Sequence, residues 1–160
     1  MSGLLHLRPI EPRDHGFVIE LNRLHVHLTA PMEEPRMLEL LAWADRAVVI
    51  EVDDTPAGFV FTFPAHTPYD SASYRELCRR FQHFTYLDRI VIDDEFQRRG
   101  LGTLVYDQIE ASADTRVVLE VNIDPPNEPS LAFHRGRGYV GVGEFGPDDH
   151  RVLQMSKELG

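Results

Sequence analysis

Cysteine and lysine are both scarce in this sequence. Cys78 is the only cysteine among 160 residues, so the chain can form neither an internal disulfide nor a zinc ribbon. Arg79 and Arg80 beside it could activate a thiol, but no histidine and acid are placed by the sequence to complete a catalytic triad. We therefore expect an ordinary cysteine. Lys157 is the only lysine among the 16 basic residues.

Long hydrophobic runs are absent as well. No apolar run approaches the roughly 18 residues that cross a bilayer. The first residues, MSGLLHLRPIEPRD, lack the basic region and the apolar stretch of a signal peptide. We therefore expect a cytoplasmic protein that does not bind membranes.

Positive charge is also in deficit, with a net charge of −10. This balance argues against a nucleic-acid partner, because phosphate binding needs a clustered basic face, and it favours cationic partners. Metal binding is not expected either. His25 and His27 are two residues apart on a predicted helix, so they point to different faces and make a poor metal pair.

What is present is an ordinary globular composition, 42% hydrophobic and 26% charged. At 18.3 kDa the chain is too short for two well-buried cores, so we expect a single domain over residues 1–160.

Hydrophobic periodicity predicts an α/β chain whose mixed sheet carries helices on its faces. The predicted strands cover residues 3–10, a hairpin over 46–63 with the turn DDTPAG, 86–92, 116–123, 139–145 and 150–156. The predicted helices cover 17–28, about 35–44, a short stretch near 74–81, 103–113, and one that ends at Gly136 or Gly138. The segment over residues 64–84 is long and polar. We therefore expect it to form a substrate lid that carries Tyr69, Asp70 and Tyr74.

The most informative segment is Gln97-Arg98-Arg99-Gly100-Leu101-Gly102-Thr103, between a predicted strand and a predicted helix. Two glycines allow close approach of a ligand, and the helix N–H groups that follow favour an anion. A dinucleotide fingerprint would need glycine in place of Val105, and a P-loop would need Gly-Lys-Ser or Gly-Lys-Thr, so both are excluded. The alternative is a solvated turn.

VIDDEFQRRGLG resembles the Q/R-x-x-G-x-G signature of the Gcn5-related N-acetyltransferases (GNAT), whose loop binds the pyrophosphate of acetyl-coenzyme A (acetyl-CoA). NEPSLAFHRGRGY resembles the family's terminal Asn-x-x-Ala, Tyr-x-x-x-Gly-Phe motif. The resemblance covers essentially the whole chain. It implies the GNAT fold, a mostly antiparallel, mixed seven-stranded sheet with helices on both faces. Strands 86–92 and 116–123 would run parallel and splay apart around the pantetheine arm.

The resemblance also assigns acetyl-CoA contacts. Backbone groups of the strand before the loop would bind the acetyl-pantetheine end, and the loop would bind the pyrophosphate. The residues assigned to the co-substrate are Ile90, Val91, Ile92, Gln97, Arg98, Arg99, Gly100, Leu101, Gly102, Thr103, Asn127 and Phe133.

Acetyl transfer to an amine requires a neutral amine, and with a pKa of roughly 10 only about one alkylammonium in a thousand is neutral at pH 7. Glu120 lies among apolar residues in VVLEVNI. Its carboxylate faces the other side of the sheet, forms a structural ion pair, or acts as a base, directly or through water. Glu120 matches the glutamate of the Leu-Glu-Val segment that ribosomal-protein alanine acetyltransferases of this family use as a base.

His134 occupies the place of the family's tyrosine, which protonates the leaving thiolate. An imidazole can serve as the acid, although a helix histidine can also be structural. Tyr139 stands in the place of the motif's phenylalanine, and we expect it in the core. Asp88 could face the acceptor amine or pair with Arg89 within the sheet.

The sequence therefore predicts direct acetyl transfer from acetyl-CoA to a primary amine of a small molecule or peptide. Two alternatives stay open: a module that binds coenzyme A without turnover, and an acyltransferase with another acyl chain or acceptor. The resemblance also allows a homodimer.

Overall fold

The structure is a computed structural model that describes residues 4–26 and 29–160. Its strands are β1 (Leu5–Pro9), β2 (Arg46–Val52), β3 (Thr55–Pro64), β4 (Thr85–Ile92), β5 (Arg116–Asp124), β6 (Val140–Phe145) and β7 (Arg151–Glu158). Its α-helices are α1 (His15–Leu24), α2 (Glu34–Trp43), α3 (Ala72–Arg80), α4 (Leu101–Ser112) and α5 (Glu128–Gly136). Short 3-10 helices cover Pro12–Asp14 and Asp94–Phe96. The predicted order of elements is confirmed.

The strands form one seven-stranded sheet in the order β1-β2-β3-β4-β5-β7-β6. β1, β2 and β3 are antiparallel neighbours, and so are β5, β7 and β6. β4 and β5 run parallel, with Thr85 opposite Val117 and Tyr86 opposite Val118. The predicted mixed sheet and its parallel pair are therefore confirmed, while the splaying of this pair stays a prediction.

Two predicted boundaries were wrong. The first helix ends at Leu24 rather than Leu28, and His27 and Leu28 lie outside the described residues. The hairpin turn is shorter than DDTPAG, because Asp53 and Asp54 alone form it, with φ of 49° and 66°. Two residues in the left-handed region suit the twist of the flanking strands, so β3 already begins at Thr55.

The chain divides into two compact units, and the single-domain assignment stays a prediction. The first unit comprises the described residues up to Phe63 together with Asp88–Ile109, and the second comprises Pro64–Leu87 and Glu110–Gly160.

In the first unit, Arg8 of β1 holds the start of α1. Its guanidinium donates to both carboxylate oxygens of Asp14, at 2.7 and 2.8 Å, and to Glu51 at 2.8 Å. The hydrogen bonds from Arg8 lower the pKa of Asp14 to about 2. Asp14 occupies the N-cap position of α1, but its carboxylate makes no cap hydrogen bond to that helix.

The second unit contains a cluster of buried aromatic rings. Tyr74, no part of which is exposed, has its ring centroid 5.3 Å from those of both Tyr69 and Tyr86, and 5.9 Å from that of Phe84. Tyr69 is only 6% exposed. Apolar burial therefore places both rings in the core of this unit, while their assignment to a substrate lid stays a prediction.

Among the described residues, no helix has the length and hydrophobicity needed to span a bilayer. Within the same ranges, no three His, Cys, Asp or Glu side chains are grouped so that they could hold a metal ion.

Candidate active site

The glycine loop begins where β4 ends. A 3-10 turn over Asp94–Phe96 follows β4, the chain reverses through residues 97–100, and α4 starts at Leu101. The first helical hydrogen bond runs from the Leu104 N–H to the Gly100 carbonyl at 3.2 Å. The N–H groups of residues 101–103 therefore have no acceptor within the helix, which is the usual arrangement of an anion-binding helix terminus.

Two residues of this loop have a left-handed backbone, Arg98 with φ of 64° and Gly100 with φ of 75°. Glycine adopts this conformation freely, whereas arginine does so at a cost, as is common in loops that bind ligands. A Cβ atom placed on Gly100 or on Gly102 would meet no protein atom within 4 Å. The backbone of the loop is thus open to a ligand at both glycines.

Packing on the protein side holds the loop in place. Gln97 donates from Nε2 to the Ile92 carbonyl at 3.0 Å, which ties the loop to the end of β4. The guanidinium of Arg99 lies 5.0 Å from the ring centroid of Phe96. Phe96 packs in turn against a cluster formed by Val52, Ala57 and Leu101. Arg98 and Arg99 are exposed, so their charge is available to an anion.

Two residues that hold this region were missed by the sequence analysis. A Cβ on Gly58 of β3 would collide with the Val91 carbonyl, so only glycine allows β3 to approach the end of β4 this closely. An isolated glycine inside a strand is the signal that could have found it. His25 is the second. Its Nδ1 lies 3.1 Å from the Leu21 carbonyl and its Nε2 lies 3.2 Å from Asp94 Oδ1, which joins α1 to the 3-10 turn before the loop.

On the same strand, Asp88 forms an ion pair with Arg89, with Oδ2 and Nε 3.2 Å apart. Arg89 is 4% exposed and also donates to Asn22 Oδ1 at 3.1 Å and to the Ala30 carbonyl at 2.7 Å. The pairing that the sequence left open for Asp88 is therefore the one observed.

In the second unit, Glu120 of β5 takes part in a polar network. The Ser73 hydroxyl of α3 donates to Glu120 Oε2. Gln154 of β7 donates from Nε2 to the Ser73 carbonyl at 3.1 Å and to Ser73 Oγ at 2.9 Å. The sequence analysis missed Ser73 and Gln154, because contacts over 47 and 81 residues leave no local pattern.

His134 is buried near the end of α5, at 6% exposure. Its Nδ1 lies 2.7 Å from the Ser130 carbonyl, which can only accept, so Nδ1 carries a proton. Burial lowers the pKa of His134, and the nearby charge of Arg137 lowers it further. His134 is therefore mainly neutral at pH 7.

Asn127 and Phe133 have local partners in α5. Asn127 is the N-cap residue, and its side chain accepts from the Ser130 N–H at 3.2 Å. The ring of Phe133 stands edge-on to that of His134, with 5.3 Å between centroids. Asp70 is exposed, and Cys78 accepts from the His66 N–H at 3.4 Å.

The model of the Acetyltransferase (GNAT) family matches residues 8–139 of this sequence. This match spans more than half of the chain, so the protein is an acyltransferase by class. The chain belongs to the acetyltransferase (GNAT) family, and the family predicted from the sequence is confirmed. No curated protein matches the sequence significantly.

Solved structures share the fold at low sequence identity. Ard1 from Thermoplasma volcanium is 18% identical with a TM-score of 0.73, over 97% of both chains. Arabidopsis thaliana NAA60 in complex with acetyl-CoA is 14% identical with a TM-score of 0.72, over 98% of this chain and 100% of the other. Arabidopsis thaliana Naa50 in complex with the bisubstrate analogue CoA-Ac-MVNAL is 11% identical with a TM-score of 0.67, over 96% of this chain and 97% of the other.

Proposed function

We propose that this protein transfers the acetyl group of acetyl-CoA directly to a primary amine in a ternary complex. One observation carries the proposal, the open glycine turn at the start of α4. There Gly100 and Gly102 leave the backbone accessible, and Arg98 and Arg99 add exposed positive charge. A pyrophosphate fits these features, because it needs several N–H donors and positive charge at close range.

The absence of acidic residues from the start of α4 also suits coenzyme A, which is an anion. The first turn of α4 contains no acidic residue, although the chain as a whole has a net charge of −10. No carboxylate within this turn therefore repels an anion bound there. Acetyl-CoA is also the compound bound to Arabidopsis NAA60, which has the same fold.

The proposed reaction forms one N–C bond and breaks one C–S bond. The neutral amine attacks the thioester carbonyl carbon, the amine nitrogen loses a proton, and the sulfur leaves and gains one. Glu120 accepts the amine proton, directly or through a water molecule. His134 donates a proton to the sulfur when its ring is charged. Backbone groups of Ile90 and Ile92 hold the acetyl-pantetheine end, and Asn127 contacts the pantetheine arm.

The charge of the protein and one solved structure of the same fold support an amine as the acceptor. An acidic protein attracts cations, and a protonated amine is a cation until its proton is removed. The Naa50 analogue joins CoA to a peptide, which supports a peptide amine alongside small-molecule amines. Asp70 is exposed in the segment after β3 and is the residue we assign to the acceptor's positive charge.

Release of free thiol from acetyl-CoA tests this proposal. The purified protein would be assayed against polyamines, aminoglycosides, amino acids and basic peptides, with Gly100→Val as the control for thiol release unrelated to the loop. We expect at least one amine to be acetylated at a rate that Gly100→Val abolishes. Tight coenzyme A binding with no turnover on any amine would overturn it.

A specific observation favours one second candidate, a module that binds coenzyme A without turnover. The family's tyrosine acid is replaced by His134, whose pKa is lowered by burial, so little of the acid form is present at pH 7. Under this alternative, calorimetry would detect coenzyme A while the amine panel stays silent. The remaining alternative is an acyltransferase with a different acyl chain or acceptor. Competition between different acyl-CoA compounds tests it.

We also propose that the protein is cytoplasmic and forms a homodimer. β6 is an edge strand of the sheet and carries Val140 at 61% exposure, which supports pairing with a second copy. Light scattering with Val140→Lys tests the dimer.

A further inference from the structure

Glu120 and Gln154 lie directly beside each other on two neighbouring strands of the sheet. They are direct register partners in the antiparallel pair β5 and β7, so their side chains leave the same face of the sheet. Ser73 of α3 contacts both side chains. Gln154 is 1% exposed and Ser73 is 7% exposed, whereas Glu120 is half-buried, so the polar group of three residues is buried on its Ser73 and Gln154 side.

The direction of every hydrogen bond in this group follows from elementary chemistry. The Ser73 backbone carbonyl can only accept, so the Gln154 atom 3.1 Å away from it must be the nitrogen. The same nitrogen donates to Ser73 Oγ at 2.9 Å. Ser73 Oγ therefore receives one hydrogen from Gln154, and its own hydrogen goes to Glu120 Oε2.

This direction has a chemical consequence for Glu120. A carboxylate that receives a hydrogen bond is stabilised in its charged form, and the charged form is the one that accepts a proton. The bond also limits the rotation of the carboxylate, because Oε2 is held by a hydroxyl on a helix that is itself bonded to β7.

The arrangement is energetically unfavourable for the amide oxygen of Gln154. Gln154 Oε1 is buried and has no hydrogen-bond partner among the residues that the structure describes. A buried acceptor without a partner destabilises a protein, so packing alone does not explain a glutamine here. Holding Ser73 does explain it, because the amide gives both of its hydrogens to that residue.

We infer that Ser73 is a positioning residue for the base Glu120, and that Gln154 fixes the direction of the Ser73 hydroxyl. The inference rests on the proposed function, in which Glu120 accepts the proton of the amine. It gives α3 a part in the reaction, since Ser73 is the second residue of this helix.

The test is the pH dependence of kcat/KM in Ser73→Ala, with an amine that the panel has identified. Loss of the hydroxyl favours protonated Glu120, so we expect the acid limb of the profile to move to higher pH by about one unit. The KM for acetyl-CoA should not change. Ser73→Thr keeps a hydroxyl and should restore the limb.

Ser71→Ala is the matched control, because it makes the same substitution in the same helix. Ser71 is the N-cap of α3, where its side chain accepts from the Tyr74 N–H at 3.2 Å. Ser71→Ala should lower the melting temperature without moving the acid limb. If Ser71→Ala moves the limb as far as Ser73→Ala does, the effect comes from the helix and the inference is overturned.

A double variant separates this inference from the proposed function. If Glu120 is the base and Ser73 acts through it, Ser73→Ala should have no further effect on the rate of Glu120→Gln. Wild-type activity of Glu120→Gln would overturn the base assignment itself. A second outcome would overturn only the positioning role of Ser73. In that outcome Glu120→Gln is impaired, and adding Ser73→Ala lowers its rate by the same factor as it lowers the rate of the wild type.

Discussion

The carboxylate of Glu110 and the ammonium of Lys157, the only lysine in the chain, are 2.8 Å apart. The same carboxylate accepts from Arg137 Nη2 at 2.8 Å and from the Tyr139 hydroxyl at 2.9 Å. Tyr139 is 2% exposed, so its predicted place in the core is confirmed, and its hydroxyl is used as well. Three donors thus converge on one acid whose side chain is 10% exposed.

Glu110→Gln should destabilise the protein. Burial alone would raise the pKa of Glu110, but hydrogen bonds from Arg137, Lys157 and Tyr139 outweigh it and lower the pKa below its usual value. We expect a loss of about 3 kcal/mol in the free energy of unfolding at pH 7, because the variant leaves two cations without their carboxylate. Urea titration measures this loss.

The same lowered pKa gives a pH dependence. The stabilisation by Glu110 is complete above the usual glutamate range and is lost as pH falls through the lowered pKa of the folded state. The difference between the wild type and Glu110→Gln should therefore shrink on acidification. Glu20→Gln is the control, because Glu20 pairs with Arg23 on the exposed surface and should have little effect. Equal losses in both variants would contradict the prediction.

Gly100→Val should abolish binding of coenzyme A while the protein stays folded. The left-handed φ of 75° at Gly100 disfavours any side chain, and a valine would fill space that the open turn offers to phosphate. Calorimetry should detect no binding of coenzyme A by this variant.

Gly16→Val serves as the comparison for Gly100→Val, since a Cβ on Gly16 also meets no atom within 4 Å but Gly16 lies in α1. It should bind coenzyme A as the wild type does. Unchanged affinity in Gly100→Val would remove the loop from the site.

Glu120→Gln should lower the rate at neutral pH and recover part of it at high pH. Without a base, the reaction depends on the fraction of amine that is already neutral, and this fraction rises with pH. A stopped-time thiol assay from pH 6 to pH 10 tests it. Glu39→Gln, an exposed partner of Arg36, provides the unaffected reference. A loss of the same size at every pH would refute the base role.

His134→Gln should remove a fall in kcat that the wild type shows as pH rises. The pKa of His134 is lowered by burial, so its acid form is lost at a lower pH than for an ordinary histidine. A general acid contributes roughly 100-fold or more when fully protonated, so the variant should lose most at the acid end of the profile.

The exposed His150 supplies the reference variant for His134, as His150→Gln. It should keep the wild-type profile. The stability of the wild type should also decrease as pH falls through the lowered pKa of His134, because the buried ring must then take up charge. If the kcat of His134→Gln equals that of the wild type at every pH, the assignment of His134 as the acid is wrong.

Local features of the fold were readable from the sequence. Apolar spacing predicted each strand and helix because it reflects which face of an element is buried, and that is a property of consecutive residues. The glycine loop was equally readable, because Gly100 and Gly102 follow a strand and open a helix within one short segment. Family membership followed from the same stretch and from residues 127–139.

Boundaries were less predictable where two local signals compete. Pro56 after Asp53 and Asp54 reads as part of a turn, yet it lies in β3 opposite Glu51. Two residues with positive φ already reverse the chain, so the proline is left to the strand. The burial of Tyr69 was not predicted for a similar reason, since its neighbours in the sequence are polar.

Consecutive residues were enough to predict the order of the elements, the glycine turn before α4 and the family of the protein. The partners of the charged and polar groups became known only from the folded chain: Glu120 with Ser73 and Gln154, Glu110 with Lys157, and Asp88 with Arg89. The physical reason is that periodicity records which residues are buried but not which residues meet there. A hydrogen bond between distant residues depends on strand register and on where a helix packs, and the folded chain settles both.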